Sequence, residues 1–291
     1  MKLATFSDAS GTRLGVVQAD RIVDLSRVAP DLPTEMTTLL AAGPDALAAA
    51  RRASDGAAST PLADVRLEAP IARPPKIMAV GLNYADHVAE AGLETPKLPL
   101  IFNKQPTSVV GPSDPFHLPR VSTALDYEGE LGVVIGRRCR HVPKDRAREV
   151  IAGYVVLNDV TVRDWQLRTP TWTIGKSFDT HCPMGPWLTT ADEIDDPHSL
   201  GIETWVNGEL RQSSNTKHLI FDVFTLVEHL STAFTLEPGD VIATGTPGGV
   251  GIAMKPPKLL VAGDVVKIAI ERLGEIENRV IDEPADTAVI V

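Results

Sequence analysis

Short apolar runs, many of them rich in β-branched residues, dominate the hydrophobic pattern of this chain. Such runs between turn-forming residues are typical of β-strands. The dipeptide Asn207-Gly208 lies inside one of them and indicates a two-residue hairpin turn. The runs that predict strands cover residues 4–6, 14–17, 22–25, 77–80, 132–135, 153–157, 205–210, 240–244 and 265–270.

Few segments carry the apolar spacing of an amphipathic helix. Residues 34–53 do so with one break at Gly43-Pro44, and the other predicted helices cover residues 85–91, 147–151 and 221–234. Residues 61–75 are punctuated by prolines and predict a connection. Helices do not alternate with strands, so we predict a β-rich α+β protein. The simplest division is a small N-terminal α+β domain over residues 1–70 and a large domain over 71–291.

Composition and charge argue against several classes of function. The chain has 291 residues and a net charge of −10, which disfavours binding to nucleic acid or to an anionic membrane. No apolar run approaches the 18 residues or so of a membrane span, and the first residues lack a signal-peptide pattern. Cys139 and Cys182 fit no zinc-binding spacing and are expected to be reduced thiols. We therefore expect a cytoplasmic protein.

Glu128 and Glu130 are the first candidate site residues. Side chains two residues apart in a strand point to the same face, and these two adjoin an apolar run. Two unpaired carboxylates about 4 Å apart repel each other by roughly 4 kcal/mol at an effective dielectric constant near 20. A cation or basic side chains must compensate, unless the pair lies on the solvated face of an edge strand.

Asp159 follows the apolar run 151–157, at the end of a predicted buried strand. There it could supply a third oxygen ligand, and oxygen is the donor that Mg²⁺ prefers. Alternatively, Asp159 caps the turn that follows.

Arg163, Gln166 and Lys176 could hold an anionic group beside such a cation. Lys176 stands among apolar and small residues, although a surface lysine is an equal alternative. The glycine-rich stretch 244–251 follows a predicted strand, and such loops let backbone N–H groups approach an anion. It lacks the lysine of a nucleotide-binding loop, and the chain has neither a GxGxxG nor a GxSxG motif.

His87 and Glu90 share one face of the short helix predicted over residues 85–91. Asn83 is predicted as its N-cap and Gly92 as its C-terminal glycine. A carboxylate beside an imidazole orients it and raises its basicity, as a general base requires. The alternative is an exposed pair without a role, and the other six histidines form no metal-binding spacing.

These segments, in this order, resemble the fumarylacetoacetate hydrolase family over about residues 76–280. The matching segments are Gly81-Leu82-Asn83-Tyr84 with His87 and Glu90, Asp126-Tyr127-Glu128-Gly129-Glu130-Leu131, Asn158-Asp159-Val160-Thr161-Val162-Arg163-Asp164, Lys176-Ser177-Phe178-Asp179, Val206-Asn207-Gly208-Glu209 and Gly245-Thr246-Pro247.

The resemblance implies a mixed β roll around a divalent-metal site, with the N-terminal residues as an accessory domain. It implies Mg²⁺ or Mn²⁺ as cofactor, a small anionic 2-oxo acid as substrate, and a homodimer. The residues carried over are Glu128, Glu130 and Asp159 as metal ligands, His87 and Glu90 as the water-activating pair, Lys176 beside the 2-oxo group, and Arg163, Gln166 and Thr246 as substrate contacts.

Three hypotheses about function follow. The first is hydrolytic C–C cleavage of an acylpyruvate-type 2,4-dioxo acid, in the breakdown of an aromatic compound or a sugar acid. His87 would activate the water, and the metal and Lys176 would hold the developing enolate charge. The second is decarboxylation or tautomerisation of oxaloacetate or a 2-hydroxydienoic acid. The third is a protein that only binds a metal or ligand.

The part of the pocket that would contact the far end of the substrate is less defined. Lys104, Arg211 and Gln212 are candidates there, each equally explained as a surface residue. The polar stretch 212–217 is predicted to be a mobile loop that could border the site.

Overall fold

The computed structural model describes residues 1–287, in which the observed elements are mostly strands. The strands are β1 (Lys2–Asp8), β2 (Gly11–Gln18), β3 (Arg21–Asp24), β4 (Thr60–Pro61), β5 (Arg66–Glu68), β6 (Ile77–Gly81), β7 (Leu100–Lys104), β8 (Val109–Val110), β9 (Phe116–Leu118), β10 (Leu125–Asp126), β11 (Gly129–Ile135), β12 (Ile151–Asn158), β13 (Thr161–Val162), β14 (Cys182–Thr190), β15 (Gly201–Val206), β16 (Glu209–Asn215), β17 (Val241–Ala243), β18 (Val265–Ile270) and β19 (Gly274–Asp282).

The helices are short, and α3 and α6 are the two that reach three turns. They are α1 (Leu25–Val28), α2 (Met36–Ala41), α3 (Pro44–Ser54), α4 (Ala85–Ala91), α5 (Arg163–Gln166) and α6 (Val223–Ala233). The β-rich α+β prediction is therefore confirmed.

One large sheet runs through most of the molecule. Its strand order is β4-β3-β2-β1-β14-β12-β11-β17-β6-β7, with β5 beside β1 and β8 beside β14. The N-terminal strands join the rest where β1 pairs with β14, Leu3 opposite Leu188. The sheet is thus continuous across the predicted domain boundary at residue 70, and that boundary stays a prediction.

A second sheet of five strands has the order β16-β15-β18-β19-β9. It packs with α6 against the central strands of the large sheet in one apolar cluster that includes Val133, Val156, Ile202, Leu226 and Ile268. β11 and β12 lie at the centre of this arrangement, and every residue in both is buried. Their ends therefore bring side chains into the interior of the molecule.

Three local predictions are wrong. Residues 147–151 do not form an α-helix: a 3₁₀-helix covers Lys144–Val150, and Ile151 already begins β12. The proline-rich stretch 61–75 is more than a connection, because Pro61 lies in β4 opposite Arg21 and Arg66–Glu68 form β5 beside β1. The stretch 212–217 is not a free loop, since most of it pairs with β15 as part of β16.

Among the described residues, no helix is long and apolar enough to span a membrane.

Candidate active site

The three predicted carboxylates meet at the end of the β11–β12 pair. Glu128 precedes β11, Glu130 is its second residue, and Asp159 follows β12. Gly129 lies opposite Asn158 in the antiparallel register, so these ends coincide. In the described part of the chain, one oxygen from each carboxylate can be chosen so that all three lie within 4.8 Å of one another. All three residues are buried.

Two buried cations contact this group. Lys176 donates from Nζ to Glu128 Oε2 over 2.6 Å and to Asp159 Oδ2 over 2.7 Å. Arg163 donates from Nη1 to the other Glu128 oxygen over 2.7 Å. Burial by itself raises the pKa of Glu128, but the charges of Lys176 and Arg163 outweigh it and lower the pKa to about 2. Glu128 is therefore held as an anion.

Glu130 is in the opposite situation. Burial, reinforced by the charges of Asp159 and Glu128, raises the pKa of the Glu130 carboxyl well above its usual value. Its Oε2 accepts a 2.7 Å hydrogen bond from the Gly245 N–H, and none of the described Lys, Arg or His side chains forms an ion pair with it. A divalent cation would supply the positive charge that Glu130 lacks, so the donor set fits a hard metal ion.

Lys104 also belongs to the site. The sequence placed it at the far end of the substrate or on the surface, whereas the structure buries it beneath Asp159. Its Nζ lies 2.7 Å from Asp159 Oδ1 and donates to the carbonyl oxygens of Lys176 and Val160. The pattern of β7, in which Phe102 and Lys104 alternate with exposed Asn103, could have indicated an inward-facing lysine.

Two further polar residues hold the candidate site residues in place, and sequence reasoning did not assign them a role. Asp126 holds Arg163 through Nε at 2.8 Å and accepts from the backbone N–H of Gly251 and Ile252. Asn158 Oδ1 accepts from the Glu128 N–H. Asp126 belongs to the same motif as Glu128, and Asn158 directly precedes Asp159. This proximity in sequence could have indicated that both residues contribute to the site.

Gln212, another candidate for the far end of the substrate, is buried behind the site. It accepts from the Gly129 N–H and donates to Thr246 Oγ1. The Thr246 hydroxyl in turn donates to the Gly129 carbonyl. Arg211, the remaining candidate, pairs with Glu209 at 3.0 Å.

His87 and Glu90 lie on α4, as predicted, with His87 Nδ1 3.7 Å from Glu90 Oε2. This is longer than a hydrogen bond, and catalytic hydrogen bonds often shorten only when substrate binds. Gly92 ends the helix in the left-handed conformation, φ 65°, as expected. Asn83 is not the N-cap, however, because Tyr84 takes that position and the Asn83 side chain bonds to the backbone of Phe221 and Thr244.

The glycine-rich stretch 244–251 does bind anions through its backbone, but they are the chain's own carboxylates. The Gly245 N–H donates to Glu130, and the Gly249 N–H donates to both oxygens of Glu90 at 3.0–3.1 Å. The loop therefore links the carboxylate group to α4 and holds Glu90 behind His87.

Most of the predicted side chains line one cavity of about 60 Å³. Its lining includes His87, Glu128, Glu130, Arg163, Gln166, Lys176 and Thr246, together with Val80, Gly81, Leu82, Phe102 and Trp172. Glu90 and Asp159 contact residues of this lining from behind. The arrangement can bind a small anion, polarise it and exchange a proton with it.

Comparison with known proteins gives the class of protein. The fumarylacetoacetate (FAA) hydrolase C-terminal family model matches residues 76–281. The chain belongs to the fumarylacetoacetate hydrolase family and has its β-rich fold. Its relatives in this family include enzymes, and the chain is itself an enzyme.

Three relatives illustrate the range of activities. Oxaloacetate tautomerase fahd2, mitochondrial, from Xenopus laevis is 44% identical over 288 residues, covering 97% of this chain and 90% of that protein. A fumarylacetoacetate hydrolase from Exiguobacterium antarcticum is 39% identical with a TM-score of 0.85, covering 97% and 100% of the two chains. Maleylpyruvate hydrolase from Sphingobium sp. SYK-6, solved with manganese(II) and pyruvate, is 35% identical with a TM-score of 0.83, covering 98% and 100%.

Proposed function

We propose that Glu128, Glu130 and Asp159 hold one divalent cation, Mg²⁺ or Mn²⁺. Three buried carboxylates support this proposal, and one of them, Glu130, has no cationic partner within residues 1–287. When bound, the ion would supply a Lewis acid for the oxygens of a 2-oxo acid. The manganese in the maleylpyruvate hydrolase structure is consistent with either ion, since both take oxygen ligands.

The substrate that we propose is a small anionic 2-oxo acid. A cavity needs a volume of roughly 10–15 Å³ to hold one water molecule. The cavity here, of about 60 Å³, therefore favours a short acid. Lys176 would stabilise negative charge that develops on the 2-oxo oxygen. Arg163, Gln166 and Thr246 line the same cavity and would contact the acid.

His87 is the proposed proton-transfer residue, and its position carries the proposed function. It lines the same cavity as Glu128, Glu130 and Lys176, with Glu90 behind it. Glu90 would fix the orientation of the imidazole and stabilise its protonated form. Simple decarboxylation has no need of such a base, whereas hydrolysis and tautomerisation do.

The reaction that we place first is hydrolytic C–C cleavage of an acylpyruvate-type acid. His87 would take a proton from water, and the resulting hydroxide would add to the carbonyl carbon of the acyl group. The bond between that carbon and C3 of the pyruvate part would then break. The products are a carboxylic acid and pyruvate, whose C3 regains a proton.

Keto–enol tautomerisation of oxaloacetate is the second candidate, favoured by the 44% identity to the Xenopus laevis tautomerase. Here His87 would take a proton from C3 and return one to the oxygen, or the reverse. The same side chains serve both reactions because both develop negative charge on the 2-oxo oxygen.

The test measures pyruvate release from acetylpyruvate and fumarylpyruvate, and loss of the enol absorbance of oxaloacetate, with Mg²⁺, Mn²⁺ or chelator. We expect chelator-sensitive pyruvate release, and His87→Ala should lower it by about 10²–10⁴-fold while lowering oxaloacetate decarboxylation less. The exposed His229→Gln is the matched control. Accelerated enol loss without cleavage of either dioxo acid would make tautomerisation the function. No turnover of any of them would contradict both candidates.

A homodimer and a cytoplasmic location are also proposals. The first is carried over from the family and is checked by light scattering of the purified protein. The second draws on the bacterial relatives, including one from Burkholderia multivorans that is 45% identical, whereas the Xenopus laevis relative is labelled mitochondrial.

A further inference from the structure

The cavity has an apolar side that the proposed chemistry does not use. Leu82, Phe102 and Trp172 form it, and we call them the apolar wall. Phe102 is the residue of the wall that lies next to the charged groups, since Lys176 Nζ is 5.1 Å from the centroid of the Phe102 ring. Trp172 packs edge-on against Phe102, with ring centroids 5.6 Å apart. The contacts therefore run from Lys176 through Phe102 to Trp172.

Two residues of the wall have strained backbones. Leu82 has φ 54° and Trp172 has φ 60°, a region that bulky side chains rarely adopt. Such conformations persist only where the surroundings impose them, and they cluster at binding sites.

The chain also leaves space for the indole. A Cβ on Gly81 would lie 2.3 Å from Trp172 Cζ3, so glycine is required at the end of β6 for Trp172 to occupy this position. Glycine at 81 and tryptophan at 172 are thus complementary in shape.

The two cations that line the cavity already have partners and proposed roles, because each pairs with buried carboxylates and would also contact the 2-oxo acid group. Lys176 pairs with Glu128 and Asp159, and Arg163 pairs with Asp126 and Glu128. Among the described lining residues, no Lys or Arg remains for a second carboxylate. A charged group placed against the wall would lose hydration without gaining a partner.

From these observations we infer that the apolar wall selects a short, uncharged substituent beyond the 2-oxo group, and that Trp172 sets its length. The inference rests on the proposed function and narrows it to acylpyruvates with a short alkyl acyl group. A dicarboxylic acid of the same length would be disfavoured.

Binding of 2-oxo acids tests this without requiring turnover. Calorimetry on the Mg²⁺-loaded protein would compare pyruvate, 2-oxobutyrate, 2-oxopentanoate and 2-oxooctanoate, and would set 2-oxopentanoate against 2-oxoglutarate, its analogue with a distal carboxylate. Wild-type protein should bind 2-oxopentanoate at least about tenfold more tightly than 2-oxoglutarate, and 2-oxooctanoate weakly, because its chain would clash with the wall.

Trp172→Ala should bind 2-oxooctanoate at least about tenfold more tightly than wild type does, since each newly buried methylene is worth up to about fourfold. Its affinity for pyruvate should stay within about threefold. Trp205→Ala, which removes an indole on β15 outside the cavity, should keep the wild-type profile. If Trp172→Ala does not fold, Trp172→Phe should shift the length limit in the same direction by a smaller amount.

An unchanged chain-length profile in the Trp172 variants would overturn the inference and leave the proposed function standing. Equal wild-type affinity for 2-oxoglutarate and 2-oxopentanoate would also overturn it. Wild-type protein that binds none of the acids, pyruvate included, would instead refute the 2-oxo acid function itself and this inference with it.

Discussion

Lys104 shows how one buried charge can support a site without facing the substrate. Its side chain is fully enclosed, and its ammonium group contacts one oxygen of Asp159 while Lys176 contacts the other. Each Asp159 oxygen therefore has a fixed cationic neighbour, which sets the plane of the carboxylate. A buried pair of this kind is costly to break, because the remaining charge loses its partner.

We expect Lys104→Met to destabilise the metal-free protein by about 3–5 kcal/mol, the usual cost of breaking a buried ion pair. Lys258→Met, which breaks an exposed pair with Glu209, should cost less than about 1 kcal/mol. Urea unfolding of the two variants checks this. Equal losses would show that Lys104 contributes no more than a surface lysine.

Glu128 and Glu130 should respond in opposite ways to the same substitution. Glu130→Gln removes a carboxylate that repels its neighbours, so the metal-free protein should be at least as stable as wild type while Mn²⁺ binding is lost. Glu128→Gln leaves Lys176 and Arg163 short of an anion and should lower the free energy of unfolding by about 3 kcal/mol. Thermal unfolding and Mn²⁺ titration by electron paramagnetic resonance measure both. Full Mn²⁺ affinity in Glu130→Gln would contradict its assignment as a ligand.

At the scale of elements, α4 brings His87 and Glu90, the proposed proton-transfer pair, to the carboxylates. The helix has seven residues, too few for stability on its own, so its position depends on tertiary contacts. Ser214 on β16 donates to Asp86 at 2.5 Å, and Gly249 holds Glu90. At the N-terminal end, Asn83 bonds to the backbone of both Phe221 and Thr244.

Asn83→Ala should loosen α4 without removing any group that we propose to contact the substrate. Three hydrogen bonds to the backbone of Phe221 and Thr244 disappear, so we expect a loss of about 2–4 kcal/mol in stability and a lower kcat. Hydrogen exchange over residues 85–91 should accelerate. Asn103→Ala, at an exposed position of β7, is the matched control. Unchanged slow exchange in the Asn83 variant would refute the role of Asn83 in holding α4.

At the scale of the whole molecule, one sheet joins the N-terminal strands to the strands that carry the site. β14 pairs on one side with β1 and on the other with β12, which ends at Asn158, one residue before Asp159. His181 lies just before β14, fully buried, with its ring stacked on Phe178 and its Nε2 bonded to the His117 carbonyl at 2.7 Å. Its protonation therefore bears on the stability of the fold rather than on the chemistry.

Burial lowers the pKa of His181 to about 3, against about 6.5 for an unfolded histidine. Between these values only the unfolded chain takes up the proton. The contribution of His181 to the free energy of unfolding is therefore fully present above pH 6.5. It falls as the pH drops towards 3, by up to about 1.4 kcal/mol per pH unit. Urea unfolding between pH 7 and pH 4 measures the slope. His181→Gln should flatten it relative to His229→Gln, and equal slopes would contradict this account.

The sequence by itself determined the β-rich class, strands such as β1, β11 and β12, and the residue types of the site, but it did not predict β7, β14 or β19. Glu128, Glu130 and Asp159 could be found because each stands at the end of an apolar run, where local periodicity already fixes burial. His87 and Glu90 could be found because a helix places residues three apart on one face. The family resemblance placed these residues in one ordered set of motifs, and the family match over residues 76–281 confirms membership of the family.

Only the tertiary structure decided which polar groups meet. For Lys104 and Gln212 the sequence left open a place at the far end of the substrate or on the surface. Their partners are distant in sequence, since they bond to Asp159 and Thr246, 55 and 34 positions away. The glycine-rich stretch likewise carries no local sign that its backbone N–H groups bind Glu90, Asp126 and Glu130. The apolar wall joins Leu82, Phe102 and Trp172 from three separate segments. Such contacts depend on strand register and chain crossing, which local hydrophobic periodicity does not encode.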